Sequence, residues 1–326
     1  MKDEIESVKR IYSDYLLSNG YVQNSSVKIT SGVDPSVVLV GSTISVMKPQ
    51  LLSRKINVNG EFLLQRAIRT RGIKRLLISE PLEWYSYFDA SGVLVNYDKL
   101  DKLVYDIVEF LNKFLDINYS DMMIRVSSKD NDLLNSLKFI DGRIIIEIDS
   151  RKIEYYRHKY GLQEFEIYGR NLNIAIKQSG NSDYKDIGNV IVIESPYEKY
   201  GVECAIGINA MIMRKLGLTN SIAASSIVDI YQPVNDSDYK FLDCLTVVSH
   251  LAYENIILIN SRSPQYIYRK YLRALKYWAD TKNISNDELL NMIEMYIQLE
   301  YNKNEKQKID TNVRRLLLRG GFKNGR

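Results

Sequence analysis

Residues 202–216 constrain the fold more than any other stretch of this chain. Val202-Glu203-Cys204-Ala205-Ile206 reads as a buried strand, Gly207 as its turn, and the residues up to Leu216 as an amphipathic helix. Before this unit the chain carries mostly strand candidates, with two helices among them. After it nearly everything reads as helical. Runs of strands followed by runs of helices predict an α+β unit and then an all-α unit.

The periodicity predicts a helix over 4–19, with Ile5, Val8, Tyr12, Tyr15 and Leu16 on one face and Asn19-Gly20 as its stop. A short buried strand is expected over 36–40, after Asp34-Pro35. Leu63–Arg69 and Arg75–Ser79 read as strands around a basic turn with Arg71, Gly72 and Lys74. Glu83–Phe88 reads as an aromatic strand that Gly92 interrupts. Residues 98–115 form a helix with Leu103, Ile107, Leu111 and Phe114 among its inward positions. Further strands are expected at 122–127, 143–148, 163–168, 171–177 and 189–194, with Gly169-Arg170 as a hairpin turn between the third and fourth. Helices follow over 240–259, 265–280, 286–301 and 311–319. The polar stretch Gln232–Asp238, which contains Pro233, divides a unit of residues 1–232 from one of residues 233–326.

With 326 residues, 45% of them hydrophobic, the chain is able to bury a large core. No apolar run approaches the ~20 residues of a membrane span, and Met1-Lys2-Asp3-Glu4-Ile5-Glu6 is too charged for a signal peptide, so a cytoplasmic protein is expected. Cys204 and Cys244 lie in apolar segments without CxxC spacing, and His158 and His250 are the only histidines. That composition argues against a disulfide framework, a zinc site or any His/Cys metal cluster. His250 follows an apolar helix face and reads as a packed core histidine. Net charge is only +4, but eight Lys or Arg lie between Lys303 and Arg326, among them Arg314 and Arg315, against Glu305 and Asp310. Arg262, Arg269, Lys270 and Arg273 extend this basic C-terminal third. Such a stripe suits a phosphate backbone; a solvated helix face and a basic tail explain it as well.

Several collinear segments resemble the alanyl type of class II aminoacyl-tRNA synthetases. Val202–Ala210 is similar to the third signature motif of that class, a strand followed by Gly-(Ile/Leu)-Glu-Arg at the start of a helix. Asp34-Pro35-Ser36-Val37-Val38-Leu39 is similar to the motif 1 region, and Gln65-Arg66-Ala67-Ile68-Arg69 to the motif 2 strand. Glu166–Ile174 resembles an archaeal-type hairpin of the family, Ser249-His250-Leu251 a segment of its helical region, and Tyr266–Arg273 its Gly-Tyr-Val-Leu-Arg-Arg helix. The likeness covers roughly residues 5–280, without room for the editing or C-terminal domains of a full synthetase. It implies an antiparallel sheet flanked by helices, followed by a tRNA-recognition-like helical domain.

The resemblance also implies chemistry. Activation joins a carboxylate to the α-phosphate of ATP and expels pyrophosphate, so positioned cations and magnesium ions carry it. Arg69 stands at the motif 2 arginine, with Arg71 and Gly207 beside it as the ATP-binding set. Glu203 stands where the family holds the substrate amine, and Glu166 matches a second carboxylate near the site. An ordinary ion-paired strand arginine and structural ion pairs are the alternatives for Arg69, Glu203 and Glu166. Asn209 and Ala210 occupy the positions of the motif 3 Glu and Arg, so the second phosphate cation is missing; its loss costs about 3–4 kcal/mol of transition-state stabilisation. Arg214 or Lys215, about one turn further along, is the nearest replacement.

Three readings are open on these residues. The chain is a synthetase-like protein with a degenerate ATP site that binds tRNA or another RNA, with weak or no aminoacylation. Or it is a working ligase that activates alanine or a similar small amino acid for a tRNA or other carrier. Or it is a structural subunit that docks a protein partner in the old cleft. For RNA binding the candidates are Arg262, Arg269, Lys270, Arg273, Arg314 and Arg315, with Tyr266, Tyr268, Tyr271 and Tyr277 as stacking surfaces.

Overall fold

The computed structural model describes residues 1–159, 166–254, 264–302 and 313. Within them the chain forms strands β1 Val22–Gln23, β2 Glu61–Ile68, β3 Tyr87–Val95, β4 Met122–Val126, β5 Ile145–Ile148, β6 Arg157–Lys159, β7 Tyr168–Lys177, β8 Tyr184–Glu194 and β9 Lys199–Gly207. Its helices are α1 Lys2–Ser18, α2 Ile44–Leu52, α3 Leu100–Leu115, α4 Asn131–Ser136, α5 Ile208–Lys215, α6 Asp236–Tyr253, α7 Pro264–Thr281 and α8 Asn286–Tyr301. The fold is α+β, a mixed sheet flanked by helices followed by a helical region.

The strands of the described residues make one sheet in the order β1-β2-β3-β9-β8-β7-β4-β5, with β6 added against β7. Pairing is antiparallel except at β1/β2 and β4/β5. One face is sealed by α1, α3 and α5, whose Val8, Tyr12, Leu103, Ile107 and Met211 share a core with Phe62, Val93, Val192 and Cys204. Each fully buried Leu or Ile there contributes about 1.5–3 kcal/mol relative to exposure. Among the described residues the opposite face is covered in part, by α2, where Ile44, Met47 and Leu51 pack on Leu63, Leu94, Ile191 and Ile193. Gln65, Asn171, Asn173, Asn189 and Glu203 stand on that same face.

The helical region closes over the end of the β2–β3 hairpin. Phe241, Leu245, Leu272, Leu275 and Ile293 form one core with Ile68, Tyr85 and Tyr87. Polar links stitch the seam: the Ser86 N–H and hydroxyl donate to Asp243 (2.9 and 2.8 Å), and the Tyr271 hydroxyl lies 2.6 Å from that of Ser86. Capping boxes at Asn235/Asp238 and Ser285/Glu288 start α6 and α8. His250 is fully buried and stacked on Tyr87 with centroids 4.3 Å apart, which is the packed core histidine expected from its position. No described helix is long and apolar enough to cross a membrane.

Several expected elements take a different form. Residues 36–40 are not a strand: Asp34 accepts from the N–H and hydroxyl of Ser36 (3.0 and 2.6 Å), turning the chain and leaving Val37 and Val38 exposed. Residues 75–79 are not a strand: Arg75 ends a 3-10 helix, Thr70–Arg75, and of the residues after it Leu76 alone is buried while Leu77 and Ile78 face solvent. The aromatic strand begins at Tyr87 and runs through Gly92. Glycine is required there because a Cβ would sit 2.1 Å from the Thr43 hydroxyl. Phe114 lies on the solvent side of α3.

The hairpin at Gly169-Arg170 is also corrected. Both residues lie inside β7, paired with β6 and β8, and Arg170 is held there by Asp132 (2.7 Å) and Glu194 (2.5 Å). The turn falls instead between β7 and β8. Of the strand expected at 163–168, residues 163–165 lie outside the described residues. So do residues 255–259 of the first late helix and, apart from Val313, the helix expected at 311–319.

Candidate functional site

Successive side chains of a strand point to opposite faces, and this divides the basic cluster on the β2–β3 hairpin. Arg66 turns toward the helices, 3.0 Å from Glu300, with its guanidinium 4.5 Å from the centre of the Tyr301 ring. Arg69 turns to the partly open face. Its backbone N–H donates to Ser86 O (2.8 Å), its Nε donates to Gly41 O (3.1 Å), and its guanidinium lies 4.7 Å from the centre of the Phe88 ring. Arg75 is paired with Glu80 and takes no part.

Arg69 is exposed to solvent, yet desolvation by the protein around it lowers its pKa. The like charge of Arg71, which is exposed in the 3-10 turn, adds to that lowering, and the carboxylate of Glu203 opposes it. Glu203 is buried in β9, in register with Leu94 of β3 and Ile191 of β8. Arg69 and Glu203 therefore stand on one face of the sheet, near enough for the carboxylate to act on the guanidinium, although they are distant in sequence. That separation is spanned because β3 pairs with β9 in the register Ala90↔Gly207.

His158 feels the charges of Arg69 and Arg71 as well, and no sequence motif marks it. Burial lowers its pKa, an Asn171 hydrogen bond opposes this, and the fields of Arg69 and Arg71 lower it further. The imidazole is held between Asn171 Oδ1 (2.8 Å from Nδ1) and Asn189 Nδ2 (3.3 Å from Nε2). These three residues come from β6, β7 and β8, so no local spacing reveals them. Ala205, paired with Asn189, and Gly207 are both partly accessible on the same face.

The strand–helix junction falls at Gly207, and the first turns of α5 beyond it are structural. The Asp89 N–H donates to Asn209 Oδ1 (2.6 Å) and Asn209 Nδ2 donates to Ala224 O (2.7 Å), which consumes that amide. Ala210 is buried in the core that contains α1. Arg214 is also buried, ion-paired with Glu83 and 5.2 Å from the centre of the Trp84 ring. Ser86, Asp89 and Ser91 are buried and bonded: Asp89 to Lys9 (2.6 Å), and Ser91 as donor to Ile206 O (3.0 Å). Glu166 sits on an exposed turn with φ +48° before β7, not on a strand.

On α7 the exposed face runs Tyr266, Lys270, Arg273 and Tyr277, with Lys270 Nζ 5.5 Å from the centre of the Tyr266 ring and Arg269 half-buried beside it. These residues are spaced to share one side of a helix. Tyr268 and Tyr271, expected as stacking surfaces, are core residues instead. Arg262, Arg314 and Arg315 lie outside the described residues. Among the described residues no group of three or more His, Cys, Asp or Glu is arranged to hold a metal ion. An open groove of about 630 Å³ lined by Asp116, Asp121, Lys177 and Lys215 lies elsewhere and shares none of these residues.

No protein-family model matches the chain, and no curated protein matches it. Among solved structures it is similar to the RNA binding domain of threonyl-tRNA synthetase from Cryptosporidium parvum Iowa II, at 9% identity and a TM-score of 0.44. That likeness covers 65% of this chain and 64% of the other. It is also similar to aspartyl tRNA synthetase from Entamoeba histolytica, at 10% identity and a TM-score of 0.40, over 68% of this chain and 56% of that one. The chain thus spans less than two thirds of either.

Proposed function

We propose that this chain is a class II synthetase-like protein of the alanyl type whose activation site is degenerate, and that it binds tRNA or another RNA with weak or no aminoacylation. The observation that carries the reading is the placement of Arg69, just after β2, and of Glu203 on β9, strands that both pair with β3, together with a buried Ala210. The two segments that resemble motifs 2 and 3 lie on strands joined through β3, and one half of an activation site survives there. Arg69 and Arg71 offer cations to a phosphate or carboxylate, and Glu203 offers a carboxylate to an ammonium group.

The other half does not fit a nucleoside triphosphate. Asn209 is spent on Asp89 and Ala224, Ala210 faces the core, and Arg214 is committed to Glu83. A working ligase would need a second cation that none of these positions supplies. ATP and magnesium are accordingly not assigned a step. The stripe Tyr266, Lys270, Arg273 and Tyr277 on α7 is the proposed RNA contact, because cations neutralise phosphates and exposed tyrosines stack on unpaired bases. A cytoplasmic location goes with an RNA ligand of this kind.

The test is a tRNA titration by filter binding across salt concentrations. Log affinity is expected to fall linearly with log salt, and changing Lys270 and Arg273 together to Ala should flatten the slope. A salt-independent or undetectable association would refute the RNA reading.

A further inference from the structure

The polar row on the open face of the sheet bears on what the surviving half-site holds. Asn171 Nδ2 donates to the carbonyl of Tyr155 (3.3 Å), which fixes that amide with its Oδ1 toward His158. His158 Nδ1 must then carry the proton, and in a neutral ring Nε2 becomes an acceptor. The neighbouring Asn189 therefore presents Nδ2 to the ring, and its Oδ1 is left as an acceptor. The burial of the ring and its cationic neighbours Arg69 and Arg71 favour that neutral form.

Asn173 lies directly across the β7/β8 ladder from Asn189. Side chains paired in this way share a face and stand about 5 Å apart at Cβ. Asn173 is buried, and its Nδ2 has no partner among the described residues. A buried donor without a partner is uncommon enough to need an explanation. Asn189 is in turn paired with Ala205, which is partly accessible, and Glu203 lies two residues along β9 on the same face.

We infer that the half-site takes a small amino acid whose side chain ends in a group that both donates and accepts hydrogen bonds, a hydroxyl or a carboxamide, rather than alanine. The side-chain group meets Asn189 Oδ1 and Asn173 Nδ2, and the ammonium group meets Glu203. This rests on reading Arg69 and Glu203 as the retained half of an amino-acid site. A site built to hydrogen-bond a side chain discriminates strongly against the analogue that lacks the group, because its own polar atoms are then left unpaired.

The experiment is isothermal calorimetry of the full chain with L-serine, L-threonine, L-asparagine, L-alanine and glycine. At least one of the first three is expected to bind about tenfold or more tightly than L-alanine, and which one it is separates a hydroxyl from a carboxamide. Asn189→Ala, at a half-exposed position, should reduce that preference to within about twofold, and Glu203→Gln should weaken every amino acid alike. If alanine or glycine binds as tightly as the polar amino acids to the wild-type chain, the inference is overturned while the half-site stands. If no amino acid binds a chain that still binds tRNA, the half-site reading falls and the inference with it.

Discussion

The seam between the sheet and the helical region contains two buried titratable groups with opposite shifts, and a pair of substitutions there gives a quantitative test. His250 is sealed between Tyr87 and Tyr296, with Nδ1 2.7 Å from the Tyr301 hydroxyl. Burial, helped by the charge of Arg66, holds its pKa down at about 3. Asp243 is fully enclosed, and burial pushes its carboxyl up to about 6 against the hydrogen bonds from Ser86. The depressed histidine favours the folded state above its unfolded pKa, and that stability is lost as pH falls below about 6.5 toward 3. The raised aspartate works the other way: its contribution is complete below about pH 3.8 and is lost as pH rises through 6.

Each group contributes about 1.4 kcal/mol per pH unit within its window, so their full effects are roughly 5 and 3 kcal/mol. Between about pH 4 and 6 the two slopes oppose, and unfolding free energy should change little there on their account. Asp243→Asn should expose the histidine slope, with stability falling by about 1 kcal/mol or more per unit on acidification. His250→Phe keeps the stack on Tyr87, and its stability should instead rise on acidification. Urea unfolding of the three proteins at several pH values provides the slopes. Three parallel curves would refute the assigned burial and protonation of both groups.

Gly92→Ala should destabilise the chain by about 2 kcal/mol or more, since the new methyl meets Thr43 Oγ1 at 2.1 Å. Adding Thr43→Ala should recover part of the loss in denaturant melts. Ala210→Arg places a guanidinium in the core beside α1. It is expected to lower the melting temperature strongly without creating amino-acid activation; a stable, activating variant would show that residue 210 faces the cleft. Lys270→Ala and Arg273→Ala should each reduce the salt slope of RNA binding by about one ion, measured by filter binding. A larger effect from Lys276→Ala, whose ammonium is already paired with Asp280, would move the contact off the proposed stripe.

Sequence pattern resolves what is local and periodic. The strand–Gly207–helix unit, the amphipathic faces of α1 and α3, and the positions of Arg69 and Glu203 are all readable from spacing and from the resemblance. The errors arise where distant partners decide. Gly92 suggests an interruption because Thr43, which makes glycine necessary, lies far away in the chain, before β2. Gly169-Arg170 looks like a turn because the carboxylates that hold Arg170 in a strand come from residues 132 and 194. Half of the tyrosines assigned to RNA on α7 belong to the core, since aromatic residues mark a helix without marking its exposed side. The row of His158, Asn171, Asn173 and Asn189 comes from three strands, and only the register of the sheet brings its members together.

The most direct test of the central claim, that half of an activation site survives without the other half, is amino-acid-dependent ATP–pyrophosphate exchange by the purified chain with each standard amino acid. With Ala210 in the core and Arg214 bound to Glu83, exchange should stay at background for every amino acid, including any that calorimetry shows to bind. Robust exchange with any one of them would contradict the account.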